Sequence, residues 1–198
     1  METETATRWL SDTEQCAWRT HLDVSRLLMH QLEKDLQPFG LTMNDYEILV
    51  NLSESEDQRM RMSDLAAATL QSKSRLSHQI TRMETAGLVR RTHCESDRRG
   101  LYAVLTEHGA ETMRKVAPHH VESVRNHFMD LLSPEALAQL HAALTPIAEH
   151  LRGRRGSRRG GASGGSVRGG GGGRFRTAQV TRRGPLRDGS GHCARALA

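Results

Sequence analysis

The hydrophobic period changes sharply at Gly87, and that change limits what the middle of the sequence can become. Upstream, Leu76, Ile80 and Met83 recur at helical spacing. Downstream, Leu88 to Cys94 and Leu101 to Leu105 alternate with a period of two. Ser72 stands as the N-cap of a helix predicted from Lys73 to about Ala86, and Gly87 sits where a left-handed C′ residue is wanted. Glu95-Ser96-Asp97-Arg98-Arg99-Gly100 is a polar turn between the two strands. The segment therefore reads as a helix passing directly into a hairpin with a charged tip.

The flanking segments are helical. Residues 11–37 carry an apolar stripe through Trp18, Leu22, Ser25, Met29, Leu32 and Leu36, with Val24, Leu27 and Leu28 as a second stripe. This helix is expected to be buried on two sides and to end at Pro38 and Gly40. Thr42 caps a second helix over Met43 to Leu52, and residues 53–57 follow as an acidic loop. Ser63 is expected to cap a short helix with Asp64 in its first turn. A further helix runs from Thr106-Glu107 to about Leu132, and Pro134 starts a last one that reaches about Leu151.

Charge and glycine divide the chain at that point. Residues 1–151 hold 16 Lys/Arg against 22 Asp/Glu, whereas residues 152–198 hold 12 Arg and the single acid Asp188. Fourteen of the 18 glycines lie in those last residues, including the run Gly169 to Gly173. Residues 1–151 are thus expected to form one domain and residues 152–198 a disordered Gly/Arg-rich tail.

Several functions are excluded or disfavoured. No apolar run approaches the ~20 residues of a membrane span, and the polar start does not resemble a signal peptide. Cys16, Cys94 and Cys193 are widely spaced, which fits a reducing cytoplasm rather than a disulfide framework. No HExxH, GxSxG or phosphate-cradling glycine motif is present, so no catalytic residues and no cofactor are expected. His119, His120, Glu122 and His127 cluster on one predicted helix, but His120 and His127 are seven apart, too far for one ion, and no metal is expected.

What remains is a short helix, a tight turn, a polar-faced helix and a basic hairpin. Ser72, Lys73, Ser74, Arg75, Ser77, His78, Gln79, Thr81 and Arg82 cover the face opposite the apolar stripe. These side chains can read donors and acceptors on base edges, and the major groove is about 12 Å wide, enough for one helix. Arg90, Arg91, Asp97, Arg98 and Arg99 on the hairpin suit the flanking backbone or the minor groove. Residues 61–99 alone carry eight Lys/Arg against four acids, so positive charge is local to this surface. The order and spacing are those of a winged helix-turn-helix, mainly α with a small β-hairpin wing.

The chain resembles the MarR (multiple antibiotic resistance regulator) family. The resemblance rests on Gly40-Leu41-Thr42 with Tyr46, on Met62-Ser63-Asp64-Leu65-Ala66, and on Ser72-Lys73-Ser74-Arg75-Leu76-Ser77. It continues through Ile80 to Val89 and is sharpest at Asp97-Arg98-Arg99-Gly100 followed by Leu101 to Thr106, the D-x-R…L-T wing signature. It implies a homodimeric regulator, more often a repressor, on a pseudo-palindromic double-stranded DNA operator. The dimerisation layer would come from helices at about 11–37 and 107–151, and the DNA-binding part from about 42–106. Arg99 would enter the minor groove, with Asp97 either orienting it or only stabilising the turn.

The resemblance also implies release by a small phenolic or anionic effector, and Trp18, His21 and Tyr46 are the residues expected to line its pocket. Two alternatives stay open. One is non-specific nucleic-acid binding by the basic face and the Arg/Gly tail; the other is redox sensing by the Cys16 thiol, which needs electropositive help that Glu14 beside it works against.

Overall fold

The structure, a computed structural model, describes residues 7–94 and 97–157, with the side chains of 94–99 and 154–157 outside the description. Six α-helices and three short strands follow one another as α1 (Asp12–Leu36), α2 (Met43–Glu54), β1 (Arg59–Arg61), α3 (Met62–Ala68), α4 (Lys73–Thr85), β2 (Val89–Cys94), β3 (Asp97–Leu105), α5 (Glu107–His127) and α6 (Pro134–Ser157).

Local chemistry places most of the boundaries. The Ser11 hydroxyl accepts from the Glu14 N–H while the Glu14 carboxylate accepts from Ser11, so α1 opens on a reciprocal cap. Thr42 and Asp45 do the same for α2. Ser72 and Thr106 accept from Arg75 and Gly109 at the starts of α4 and α5. Gly87, at φ +72°, closes α4 in the left-handed region that costs glycine nothing. Ser63 does not cap α3: Arg61 holds that position without a side-chain bond, and the Ser63 hydroxyl instead donates to Asp64. Pairing of Arg59–Arg61 with β3 moves the start of α3 upstream, so Ser63 falls inside the helix.

The sheet has three strands rather than two, in the order β1-β3-β2, antiparallel throughout. β3 begins at Asp97 rather than Leu101, which shortens the predicted turn, while α2 extends to Glu54 into the expected acidic loop. α5 ends at His127, five residues early, and residues 129–131 form a single 3₁₀ turn. α6 continues to Ser157, past the expected boundary at 151, although Gly153 and Gly156 are poor helix formers. Residues 158–198 lie outside the described residues.

The core joins α2, α3, α4, the inner sheet face and the middle of α5. Ile48, Leu49, Leu52, Leu65, Leu76, Ile80, Ala103 and Val116 are fully buried in it. Burying the Leu76, Ile80 and Met83 side chains contributes about 2 kcal/mol each. α1 departs from expectation. Only its last turns, at Leu32 and Leu36, are buried, whereas Trp18, Val24, Leu27 and Met29 remain exposed. The stripe is apolar, as the spacing predicts, but among the described residues its first two-thirds is left largely uncovered.

Candidate nucleic-acid interface

α4 is amphipathic in the required sense. Leu76, Ile80 and Met83 anchor one side completely, and Ser72, Lys73, Ser74, Arg75, Ser77 and His78 are exposed on the other. Lys73, Arg75 and His78 have no side-chain partner among the described residues. Ser72 is committed to its cap and lies 3.2 Å from the Ser74 hydroxyl, which leaves the first turn presenting hydroxyls and cations outward.

The other members of the predicted set also bond within the head, while Thr81 is exposed and the Arg82 side chain remains 51% exposed. Asp45, 1% exposed, accepts from Arg82 Nη2 at 2.5 Å on both oxygens and from Gln79 Nε2 at 2.5 Å on Oδ1. Its Oδ2 also accepts from the Thr42 backbone N–H at 2.9 Å and hydroxyl at 2.7 Å. Arg91 performs a parallel task on the inner sheet face. Its guanidinium reaches Glu84 at 2.5 Å, the Ser77 carbonyl at 2.7 Å and the Thr81 hydroxyl at 2.8 Å, fastening β2 to α4. Gln79, Thr81, Arg82 and Arg91, all expected at the DNA surface, each also make contacts that hold α4 in place.

Arg90 is exposed on the outer sheet face. The register sets Arg59, Val104 and Arg90 in one cross-strand row and Arg61, Tyr102 and Thr92 in the next. Residues opposite one another point to the same face, so Arg59, Arg61 and Arg90 share that surface. The guanidinium carbons of Arg59 and Arg61 stand 5.4 and 5.6 Å from the centroid of the Tyr102 ring, within cation–π range. Arg59 and Arg61 escaped the sequence reading because a three-residue strand is too short to show a period. The side chains of Asp97, Arg98 and Arg99 lie outside the described residues.

The residues expected to line an effector pocket fall into two pairs. Trp18 and His21 stack at 5.8 Å on the exposed part of α1. Tyr46 is buried, with its ring 4.2 Å from His120, and no ring contact joins the two pairs among the described residues. Burial, then the charge of Glu54, pushes the Tyr46 hydroxyl up to about 12. Burial also lowers the pKa of His120, whose Nδ1 is buried without a hydrogen-bond partner. An unfolded chain takes up a proton that this ring resists, so stability falls as pH drops through the ordinary histidine range. Melting at about pH 5 and about pH 7.5 measures this dependence, and His120→Gln is expected to flatten it. The other clustered histidines have separate partners, His119 against Phe39 and His127 at 3.4 Å from Asp35. Cys16 is a free, exposed thiol near the start of α1.

Comparison with known proteins agrees with this geometry. A family model described as the MarR family matches residues 39–100. HTH-type transcriptional regulator PecS of Dickeya dadantii is 31% identical over 132 residues, which span 65% of this chain and 77% of that protein. The crystal structure of AbsC, a MarR family transcriptional regulator from Streptomyces coelicolor, is similar at a TM-score of 0.71 and 84% identity, over 74% of this chain and 99% of that one. Sco3205 from the same organism, a MarR family transcriptional regulator crystallised in complex with DNA, is similar at a TM-score of 0.71 and 40% identity, over 74% of this chain and 92% of that one. With a winged helix-turn-helix whose reading helix is anchored on one side and cationic on the other, the chain belongs to the MarR family of DNA-binding transcriptional regulators.

Proposed function

We propose that two copies of the chain bind a pseudo-palindromic operator as a homodimeric repressor, with one α4 in each of two successive major grooves. The observation that carries this reading is the exposed face of α4, where Lys73, Ser74, Arg75, Ser77 and His78 stand opposite a fully buried stripe. Sco3205, 40% identical to this chain, was crystallised in complex with DNA, which supports DNA binding here. Arg90 and the hairpin tip, with Asp97, Arg98 and Arg99, serve the flanking backbone and minor groove.

Dimerisation is supported by unpartnered apolar surface. Trp18, Leu22, Val24, Leu27 and Met29 on α1 are exposed, as are Leu144, Ile147 and Leu151 on α6, where no residue of 134–153 is buried. Exposed apolar area on this scale marks an interaction site, and two-fold pairing is the commonest way to cover it. The activity is assigned to residues 1–151, with residues 152–198 as an accessory tail. A small phenolic or anionic effector bound between the dimer layer and the reading head, with Trp18, His21 and Tyr46 as candidate lining, would release DNA by changing the separation of the two heads.

Binding to a duplex selected from a random pool, measured against a shuffled duplex at two salt concentrations, tests this reading. The selected duplex is expected to bind about 10³-fold more tightly or better. Equal affinity for both would instead support a non-specific nucleic-acid module. Arg75→Ala is expected to weaken selected-duplex binding by roughly 1–3 kcal/mol, as read by fluorescence anisotropy.

A further inference from the structure

The most heavily committed polar side chain of the head is one that never meets solvent. Asp45 is 1% exposed, yet its two oxygens accept from Thr42, Gln79 and Arg82, joining the first turn of α2 to the middle of α4 across 34 and 37 residues of sequence. The same first turn is tied to α1, because the Met43 N–H donates to the Glu33 carboxylate at 2.5 Å. The apolar stripe of α4 sets which face turns to the core; bonds with direction fix the angle more finely. Charge-assisted hydrogen bonds have direction. Gln79 and Arg82, three apart on one side of α4, give two such points on a single carboxylate.

We propose that Asp45 is the positioning residue of the reading helix, setting the rotation of α4 relative to α1 and α2, and that Gln79 and Arg82 act through it rather than on the bases. The proposal rests on α4 being the element that reads DNA. Its consequence is that a buried residue controls sequence discrimination. A small rotation of α4 shifts Lys73, Ser74, Arg75, Ser77 and His78 together against the base edges, while the number of cations facing phosphate stays the same.

The test uses the full chain, a duplex selected by the wild type from a random pool, every single-base variant of that duplex, and a shuffled duplex. Asp45→Asn is expected to lower affinity for the selected duplex by about tenfold or more, one base pair's worth of readout. Its preferences should flatten across the whole half-site, while shuffled-duplex affinity and the salt slope are unchanged. Gln79→Met removes one bond without leaving a charge unpaired, and is expected to give a milder version of the same flattening should Asp45→Asn fold poorly. Three results would overturn the proposal: a wild-type base profile for Asp45→Asn, relaxation at a single base pair for Gln79→Met, which marks direct readout, or a salt slope reduced by about one for Arg82→Ala, which marks a phosphate contact. A flat profile for the wild type itself would overturn the reading of α4 on which the proposal rests, and the proposal with it.

Discussion

Gly109→Ala is expected to destabilise the fold by about 3 kcal/mol, the upper end for overpacking a well-filled site. Gly109 lies in the first turn of α5, where the helix leaves the sheet. A Cβ added there would stand 2.1 Å from the Leu88 carbonyl oxygen and 2.8 Å from Leu105 Cδ1. The oxygen has little room to retreat. It accepts from the Thr106 N–H at 3.1 Å and the Thr106 hydroxyl at 3.0 Å, and that hydroxyl also caps α5 by accepting from the Gly109 N–H at 2.9 Å. Relief of the clash would therefore break the bonds that fix the end of α4, the end of β3 and the start of α5 to one another. In a chain of this size the midpoint of thermal unfolding should fall by roughly 6–12 °C. Circular dichroism melts of the two proteins measure it, and an unchanged midpoint would show that the α5 entry is looser than described.

The second large effect concerns the surface this chain leaves open. Leu27→Asp combined with Ile147→Asp is expected to give a well-folded monomer with operator affinity reduced by about 10²–10⁴, the usual gain from linking two binding modules. Both positions are more than half exposed in the single chain, at 69% and 55%, so neither change disturbs the core described above. In a dimer the same carboxylates would be buried against apolar partners, which costs several kcal/mol for each charge. Sedimentation velocity reads the mass, and anisotropy with the selected duplex reads the affinity. A double variant that remains dimeric would move the interface away from α1 and α6. A monomer with wild-type affinity would remove pairing from the mechanism.

The features legible in the sequence were those set by neighbours in the chain. Thr42, Ser72 and Thr106 cap helices through bonds only three residues long, and the left-handed Gly87 follows from its position after α4. The stripe of Leu76, Ile80 and Met83 was visible because burial and helical period coincide there. Features set by distant partners were not legible. Arg59–Arg61 becomes a strand only because β3 lies beside it, with Arg61 opposite Tyr102. The period of α1 announced an apolar face without saying that Trp18, Val24, Leu27 and Met29 stay exposed in the single chain.

Within the candidate site, Lys73, Arg75 and His78 stand exposed as the period implies. Gln79, Thr81, Arg82 and Arg91 also bond back onto their own fold, which a polar position on a polar face does not reveal, because the partners Asp45 and Glu84 are contributed by the folded structure. The spacing of Thr42 and Asp45 was the one local signal for the Asp45 junction, and it is also that of an ordinary helix cap.

Hydroxyl-radical footprinting of the selected duplex, run alongside native mass spectrometry of the same complex, asks whether reading helices from two chains straddle one symmetric duplex. Two chains per duplex and two protected half-sites about 10–10.5 base pairs apart, centre to centre, are expected. One chain on one protected patch, or even protection along the whole fragment, would contradict that arrangement.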